Sequence, residues 1–195
     1  MDKATRLEKI AKEIEKCGTC KKEKSGKAVP GEGNPEASIV FIGEAPGKTE
    51  AKTGRPFVGR SGKFLRSLIR EIGQKVEDVF ITSPVKYLPD RGTPSSSDIA
   101  HGRIHLQKQL SIIDPKIIVL LGSVAIQGVL DRKIPITKQH GTVIEKNPST
   151  SSGQVRKYFI TLHPSAALRF PPIKKLFVED FRRLKSLISL EKLTV

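Results

Sequence analysis

The sequence predicts an α/β fold in which helices cover both faces of a central, mainly parallel sheet. Two short segments, 38–42 and 117–121, are almost entirely apolar, as are parallel strands that are buried on both faces. Segments with apolar residues at spacings of three and four separate the strand candidates from one another. Strands that alternate with helices in this way favour a parallel sheet, because each connection crosses back over the sheet.

The expected elements can be placed in order along the chain. A helical pattern at 4–16 comes first, and Gly18 and a lysine-rich loop to Lys27 end it. The strand candidates are 38–42, 79–82, 117–121, 141–145 and 157–161, and the later helices are expected at 61–73, 98–113, 122–130 and 172–193. We expect a single domain over residues 1–195, with residues 1–28 forming an N-terminal helix and a basic loop packed on it.

The charge balance predicts a polyanionic partner. The chain has 35 lysines and arginines against 20 acidic residues, which gives a net charge of +15 spread along its whole length. DNA or RNA is the commonest polyanion that attracts a protein of this charge, and a ribosome-associated or merely basic thermophilic protein is the alternative. No apolar run reaches the length of a membrane span, and the first residues lead into a charged helix, so we expect a cytoplasmic, nucleoid-associated protein without a membrane partner.

The turn Gly43–Gly47, with the sequence GEAPG, directly follows the first strand candidate. Two glycines around a proline make the chain turn sharply at the carboxyl end of this strand, which is where open α/β sheets bind ligands. Glu44 is therefore a candidate for contact with a small polar molecule. The alternative is an ordinary strand-to-helix turn that carries an exposed glutamate.

Other polar or glycine-rich segments are expected at the same edge of the sheet. The glycine-rich loop Gly54–Gly62 opens a helix, and such helix starts bind phosphates through exposed N–H groups. Phe57 in this loop either stacks on a flat ring or fills the core. Hydroxyl groups end the strand at 79–82, and His163 closes the strand at 157–161, although a lone histidine is more often structural. The turn at Leu121–Ser123 carries only the signal of an ordinary helix start.

The two cysteines, Cys17 and Cys20, form one C-x-x-C motif at the end of the first helix. Such a pair is half of a metal site or a redox pair, and a structural disulfide is not expected in a reducing compartment. The chain has no second C-x-x-C motif, so local evidence for a metal site is weak.

Five segments, taken together, resemble the family 4 uracil-DNA glycosylases of archaea and thermophilic bacteria. They are Val29–Pro35, Gly43–Gly47 with Gly54–Gly62, Ile81–Lys86, Pro115–Gly122 and His163–Arg169. The resemblance implies a three-layer sandwich whose central, mainly parallel sheet has four strands. It also implies a monomeric DNA repair enzyme that flips uracil, or a related deaminated base, out of DNA and excises it by hydrolysis, leaving an abasic site.

The resemblance assigns catalytic and substrate-binding roles. His163 matches the histidine that donates to O2 of the departing uracil, and a single well-placed donor of this kind stabilises a transition state by about 3 kcal/mol. Glu44 matches the carboxylate that positions water or stabilises the sugar cation, as carboxylates do in sugar hydrolases. The residues implied to contact the base are Gly43, Ala45, Gly47 and Phe57, with Phe57 stacking on it.

The resemblance also implies a set of DNA contacts. Phosphate contacts are expected at Gly59, Ser61 and Ser165. Leu168 and Arg169 would enter the gap that the flipped nucleotide leaves, because apolar wedges hold unstacked base steps open. The positive charge of the whole chain would add affinity that depends on salt and not on sequence.

The base-reading position departs from the family. Family members carry an asparagine at the end of the second strand, where this chain has Ser83. Asparagine can donate to O4 and accept from N3–H at once, whereas one hydroxyl cannot match both atoms directly. We therefore expect weaker discrimination of uracil from cytosine, and a relaxed or shifted preference with hypoxanthine as one candidate base.

The residues at the positions of the metal ligands also differ from those of the family. The family holds a four-iron four-sulfur cluster with four cysteines, of which Cys17 and Cys20 match the first pair. Tyr87 and Gly102 stand at or near the other two positions and are poor ligands. The sequence therefore favours no bound metal or cofactor. A zinc site that adds His101 and His105, one helical turn apart, to the two cysteines is the alternative.

Two further functions stay open from the sequence. A catalytically weak or inactive DNA-binding relative is one, because the asparagine and two cluster ligands are missing. A phosphate-binding enzyme unrelated to DNA is the other, since it would explain the glycine loops but not the segment His163–Arg169.

Overall fold

A central sheet with helices on both faces forms the body of the protein. The computed structural model describes residues 1–146 and 155–193. The helices are Lys3–Lys16 (α1), Gly18–Lys21 (α2), Lys48–Thr53 (α3), Arg60–Glu71 (α4), Ser96–Ile113 (α5), Ser123–Leu130 (α6), Ile136–Gln139 (α7), Pro164–Arg169 (α8) and Pro171–Leu193 (α9). The strands are Lys24–Ser25 (β1), Glu32–Gly33 (β2), Ile39–Ile42 (β3), Phe80–Thr82 (β4), Leu88–Pro89 (β5), Ile117–Leu121 (β6), Thr142–Lys146 (β7) and Arg156–Thr161 (β8).

The sheet has the strand order β2-β4-β3-β6-β8-β7. Its four central strands, β4, β3, β6 and β8, are parallel to one another, which confirms the mainly parallel sheet expected from the sequence. The short strands β2 and β7 pair antiparallel at the two edges and extend it to six strands. A two-stranded ribbon of β1 and β5 lies apart from this sheet.

Two apolar cores lie on the two faces of the sheet, because successive side chains of a strand point to opposite faces. Val40 and Ile42 of β3 belong to the core beneath α1, α5 and α6. Phe41 belongs to the other core, where its ring stacks on Phe181 of α9 at a centroid distance of 6.2 Å. Burial of both faces explains why β3 is apolar at every position, and each such side chain contributes about 1.5–3 kcal/mol.

The parallel register brings four strand ends to one edge of the sheet. Ile42 of β3 pairs with Thr82 of β4, and Leu121 of β6 pairs with Thr161 of β8. The segments that follow these strands therefore begin side by side, as the sequence predicted. Within residues 1–146 and 155–193, none of the helices combines the length and the apolar character that crossing a membrane requires.

Candidate active site

A cavity of about 240 Å³ opens at the carboxyl edge of the sheet. Most of its lining comes from the turns after β3, β4 and β8 and from the segment between the start of α3 and the start of α4, and the rest comes from residues before β2, in β5 and after β5. The lining residues are Val29, Glu44, Ala45, Pro46, Gly47, Glu50, Pro56, Phe57, Ser61, Ser83, Leu88, Gly92, His163 and Ser165. Every side chain predicted for catalysis or base contact lies in this set, and Gly43 lies directly behind it.

Phe57 forms a flat wall of the cavity, and its backbone is held in an unusual conformation. Its φ of 51° lies in the left-handed region, which a bulky side chain rarely adopts. Arg66 holds this conformation by donating from Nε to the Phe57 carbonyl at 2.9 Å. A Cβ on Gly62 would lie 2.0 Å from the Phe57 carbonyl carbon, and a Cβ on Gly43 would lie 2.4 Å from its ring. Both glycines are therefore required for the ring to reach this position.

Glu50 is a structural support of the cavity that the sequence did not reveal. Its Oε1 accepts hydrogen bonds from the backbone N–H groups of Val58, at 2.9 Å, and Gly59, at 2.7 Å. These bonds fix the loop that follows Phe57. They also correct one expectation, because the N–H group of Gly59 already has a partner and is not free to donate to a DNA phosphate.

His163 lines the same cavity as Phe57, with ring centroids 6.2 Å apart. The backbone N–H of Ser165 donates to His163 Nδ1 at 3.2 Å, and the Ser165 hydroxyl lies 2.6 Å from the same nitrogen. Nδ1 is therefore an acceptor. The surrounding protein lowers the pKa of His163 to about 4 by burial, so the ring is neutral at neutral pH and carries its proton on Nε2.

Gly122, which follows β6, leaves room for the side chain of His163 because it has no side chain of its own. The glycine has a φ of 94°, and a Cβ there would come within 3.1 Å of the His163 Cβ. The sequence showed only an ordinary helix start at Leu121–Ser123. The structure adds a packing role for Gly122, because any larger residue would press against the backbone end of the histidine.

Glu44 is the one acidic side chain predicted for chemistry, and it is half-buried in the cavity wall. It forms no hydrogen bond with the part of the chain that the structure describes. Burial raises the pKa of its carboxyl group above the usual range. A carboxylate of this kind is free to bind a water molecule and is a stronger proton acceptor than an exposed one.

Ser83 is buried at the end of β4, and its hydroxyl donates to the Val85 carbonyl at 2.8 Å. Because its proton is used in this bond, the hydroxyl oxygen offers the cavity an acceptor and not a donor.

A buried lysine fixes the turn that carries Ser83. Lys86 Nζ donates to Thr82 Oγ1 at 2.7 Å, to Gln109 Oε1 at 2.8 Å and to the Pro30 carbonyl at 3.0 Å. Burial lowers the pKa of Lys86 to about 7. Sequence reasoning missed this network, because nothing in the local pattern connects Lys86 with Gln109.

The remaining predicted DNA contacts lie on and beside α8. Ser165 lines the cavity and is exposed, Leu168 is half-buried, and Arg169 is exposed with its guanidinium 5.4 Å from the Phe170 ring. Phe170 is also 49% exposed, which is unusual for phenylalanine. Ser61 lies in the first turn of α4, a helix with no side-chain cap. We call these five residues the rim of the cavity, and the sequence predicted all of them except Phe170.

The predicted metal candidates form a separate group. The ligand atoms of Cys17, Cys20, His101 and His105 all lie within 4.8 Å of one another, and none of the four residues lines the cavity. Tyr87 is buried, and its hydroxyl donates to the Ile14 carbonyl at 3.4 Å.

Known proteins are similar to this chain over most of its length. A family model described as the Uracil DNA glycosylase superfamily matches residues 30–185. A type-4 uracil-DNA glycosylase of Saccharolobus solfataricus is 42% identical over 193 residues, which cover 97% of this chain and 89% of the relative. A type-4 uracil-DNA glycosylase of Thermotoga maritima is 39% identical over 190 residues, which cover 95% of this chain and 96% of the relative.

Proposed function

The chain belongs to the uracil-DNA glycosylase superfamily, and from this premise we infer that it hydrolyses the N-glycosidic bond of uracil in DNA during repair. The substrate is DNA, which agrees with a net charge of +15. The target nucleotide must leave the base stack to reach a cavity that opens at the sheet edge. The product is free uracil and an abasic site.

The cavity suits a flat base that is held by one face. The Phe57 ring is held in place, because Arg66 binds the Phe57 backbone carbonyl and the ring packs closely against Gly43. A flipped uracil stacks on this ring, and such stacking contributes about 1–3 kcal/mol for a nucleobase on an aromatic side chain. Ala45 and Gly47, beside Glu44, also line the cavity, and their small size leaves room for the base.

His163 acts on the leaving group. When the bond between C1′ and N1 breaks, the electron pair stays on uracil, and negative charge develops on its O2. The neutral His163 donates from Nε2–H to that oxygen, while Ser165 holds Nδ1 and fixes the ring. A donor that is already oriented needs no reorganisation during the reaction, and a single such donor is worth about 3 kcal/mol, or a factor of about 100–1000 in rate.

Glu44 acts on the sugar and on water. Loss of the base leaves a cationic sugar, which a nearby carboxylate stabilises. A water molecule held by Glu44 adds its oxygen to C1′ and gives its proton to the carboxylate. The raised pKa of Glu44 favours this transfer, because the group accepts a proton more readily than an exposed glutamate does.

Ser83 reads the base through one hydrogen bond. Its oxygen is an acceptor for the N3–H of uracil, because its own proton is bonded to Val85. Cytosine has no hydrogen on N3 and leaves this acceptor unpaired. Hypoxanthine has an N–H group in an equivalent place, so a relaxed preference that includes it fits the same geometry.

DNA is held at the rim of the cavity. Leu168 and Arg169 fill the gap in the stack, and Ser61 contacts a phosphate beside the flipped nucleotide. Ser165, also expected at a phosphate, instead has both its donors on His163 Nδ1. Single-stranded and duplex DNA both fit this arrangement, since only the flipped nucleotide enters the cavity. The resemblance to family 4 enzymes further implies that the enzyme acts as a monomer.

The observation that carries the proposal is that the neutral His163 and the Phe57 ring line one cavity, with ring centroids 6.2 Å apart. The test is base release from matched oligonucleotides with one uracil or hypoxanthine, single- and double-stranded, scored by strand cleavage at the abasic site. Wild-type protein should release uracil, and His163→Ala should lose about 100–1000-fold in rate while it retains DNA affinity. DNA binding without release from any substrate would instead identify a non-catalytic relative.

A further inference from the structure

Two pairs of metal-binding side chains converge at the junction of the N-terminal helices with α5. Cys17 ends α1 and begins α2, and Cys20 follows within α2. His101 and His105 lie one turn apart on α5. Although 84 residues separate Cys17 from His101, its Sγ lies 3.2 Å from His101 Nε2. All four ligand atoms lie within 4.8 Å of one another.

A buried nitrogen in this group lacks a partner. His105 is only 7% exposed, and its Nδ1 makes no hydrogen bond within the described part of the chain. An unsatisfied buried polar atom destabilises a fold by about 1–3 kcal/mol and therefore calls for an explanation. A metal ion bound by the His105 ring would explain why this nitrogen has no hydrogen-bond partner.

The four-iron cluster of family 4 enzymes does not fit these residues. The Tyr87 hydroxyl is directed to the backbone carbonyls of Ile14 and Glu15, at 3.4 Å each. At Gly102, even a Cβ would lie 2.1 Å from the Pro84 carbonyl oxygen, so no cysteine fits there without a backbone shift. Four ligand atoms within 4.8 Å of one another also leave no room for a cube of iron and sulfide between them.

We propose that Cys17, Cys20, His101 and His105 bind one zinc ion in place of that cluster. The C-x-x-C and H-x-x-x-H spacings, on two elements that face each other, are those of closed Cys₂His₂ sites. Zinc bond lengths of about 2.3 Å to sulfur and 2.0–2.1 Å to nitrogen place tetrahedral ligand atoms about 3.3–3.8 Å apart. The present separations reach this range with side-chain shifts of about 1 Å.

The ion would be structural. Four protein ligands leave no open coordination position for substrate or water. The site joins the N-terminal helices to α5, so the ion would hold these elements together. The sequence alone favoured no metal, because nothing in it shows that the two histidines face the two cysteines.

The test is metal analysis of the full chain purified without chelator from a medium that contains zinc and iron. The expected result is one zinc per chain with two unoxidised thiols. Exchange for cobalt should give the intense visible bands of a tetrahedral thiolate site. Cys20→Ser and His105→Ala should both lose stoichiometric metal and these bands.

Two further variants separate metal binding from folding and from catalysis. His105→Cys keeps four ligands, so it should retain one zinc per chain and gain thiolate-to-cobalt charge-transfer intensity. His163→Ala should keep the metal content unchanged although its base release fails. Less than one-tenth zinc per chain in folded wild-type protein, iron with sulfide at this site, or unchanged zinc in both Cys20→Ser and His105→Ala would overturn the proposal.

Discussion

Adding a single methyl group at Gly43 should displace the Phe57 ring, on which we propose that uracil stacks. In Gly43→Ala the new Cβ would lie 2.4 Å and 2.5 Å from two carbon atoms of the Phe57 ring. Carbon atoms in contact are about 3.5–4.0 Å apart, so the ring must move by about 1 Å. It cannot move easily, because Arg66 and Gly62 fix the Phe57 backbone. A 1 Å displacement in a catalytic site lowers the rate by about 100-fold, or about 2.7 kcal/mol.

The assay is single-turnover release of uracil, combined with thermal unfolding to confirm that the variant is folded. Gly18→Ala is the matched control, because its Cβ would meet nothing within 4 Å. The sharper comparison uses Phe57→Leu as a second background, where the smaller side chain removes the overlap. There Gly43→Ala should change the rate by less than about threefold, since the two residues act through one contact. An equal loss in both backgrounds would refute the steric argument.

Three further predictions concern specificity, pH and the DNA rim. Ser83→Asn should raise the rate ratio of uracil to cytosine about tenfold, because the amide donates to O4 of uracil but meets an amino group at that place in cytosine, and an unchanged ratio would contradict the role of Ser83. Burial lowers the pKa of His163 from 6.5 to about 4, so the unfolded chain takes up this proton first and stability falls as the pH drops between these values. Wild-type protein should lose about 2–3 kcal/mol more than His163→Gln over that window, whereas equal losses in chemical denaturation would refute the burial argument. Leu168→Ala should slow uracil release about tenfold more from duplex than from single-stranded DNA, because only the duplex needs a wedge; equal effects would exclude that role.

The central sheet followed from the sequence because its signal is local. The strand expected at 117–121 is Ile117–Leu121, and the strand expected at 38–42 is Ile39–Ile42. A strand that is buried on both faces is apolar at every position, so it can be recognised directly in the sequence. The strands β1, β2 and β5 have two residues each and no pattern that could reveal them, because the pairing partner alone defines them.

The side chains that line the site could be predicted from the sequence, but the residues that hold them in position could not. Glu44, Phe57 and His163 stand at strand ends or in glycine loops, where sequence reasoning looks for ligand contacts. Glu50 supports the loop after Phe57 through backbone N–H groups eight and nine residues away, which no local pattern encodes. Gly122 also lacked a distinguishing sequence signal. A glycine is needed there because His163, which follows the neighbouring strand, packs closely against it.

The most direct test of the leaving-group role compares two bases that differ in how much stabilisation they need. Fluorouracil departs as a more stable anion than uracil, so it depends less on the Nε2–H donor of His163. His163→Ala should therefore lose about 100–1000-fold in single-turnover release of uracil and at least about tenfold less with fluorouracil in the same DNA. The same loss on both bases would mean that His163 only positions the substrate, which would contradict the assigned mechanism.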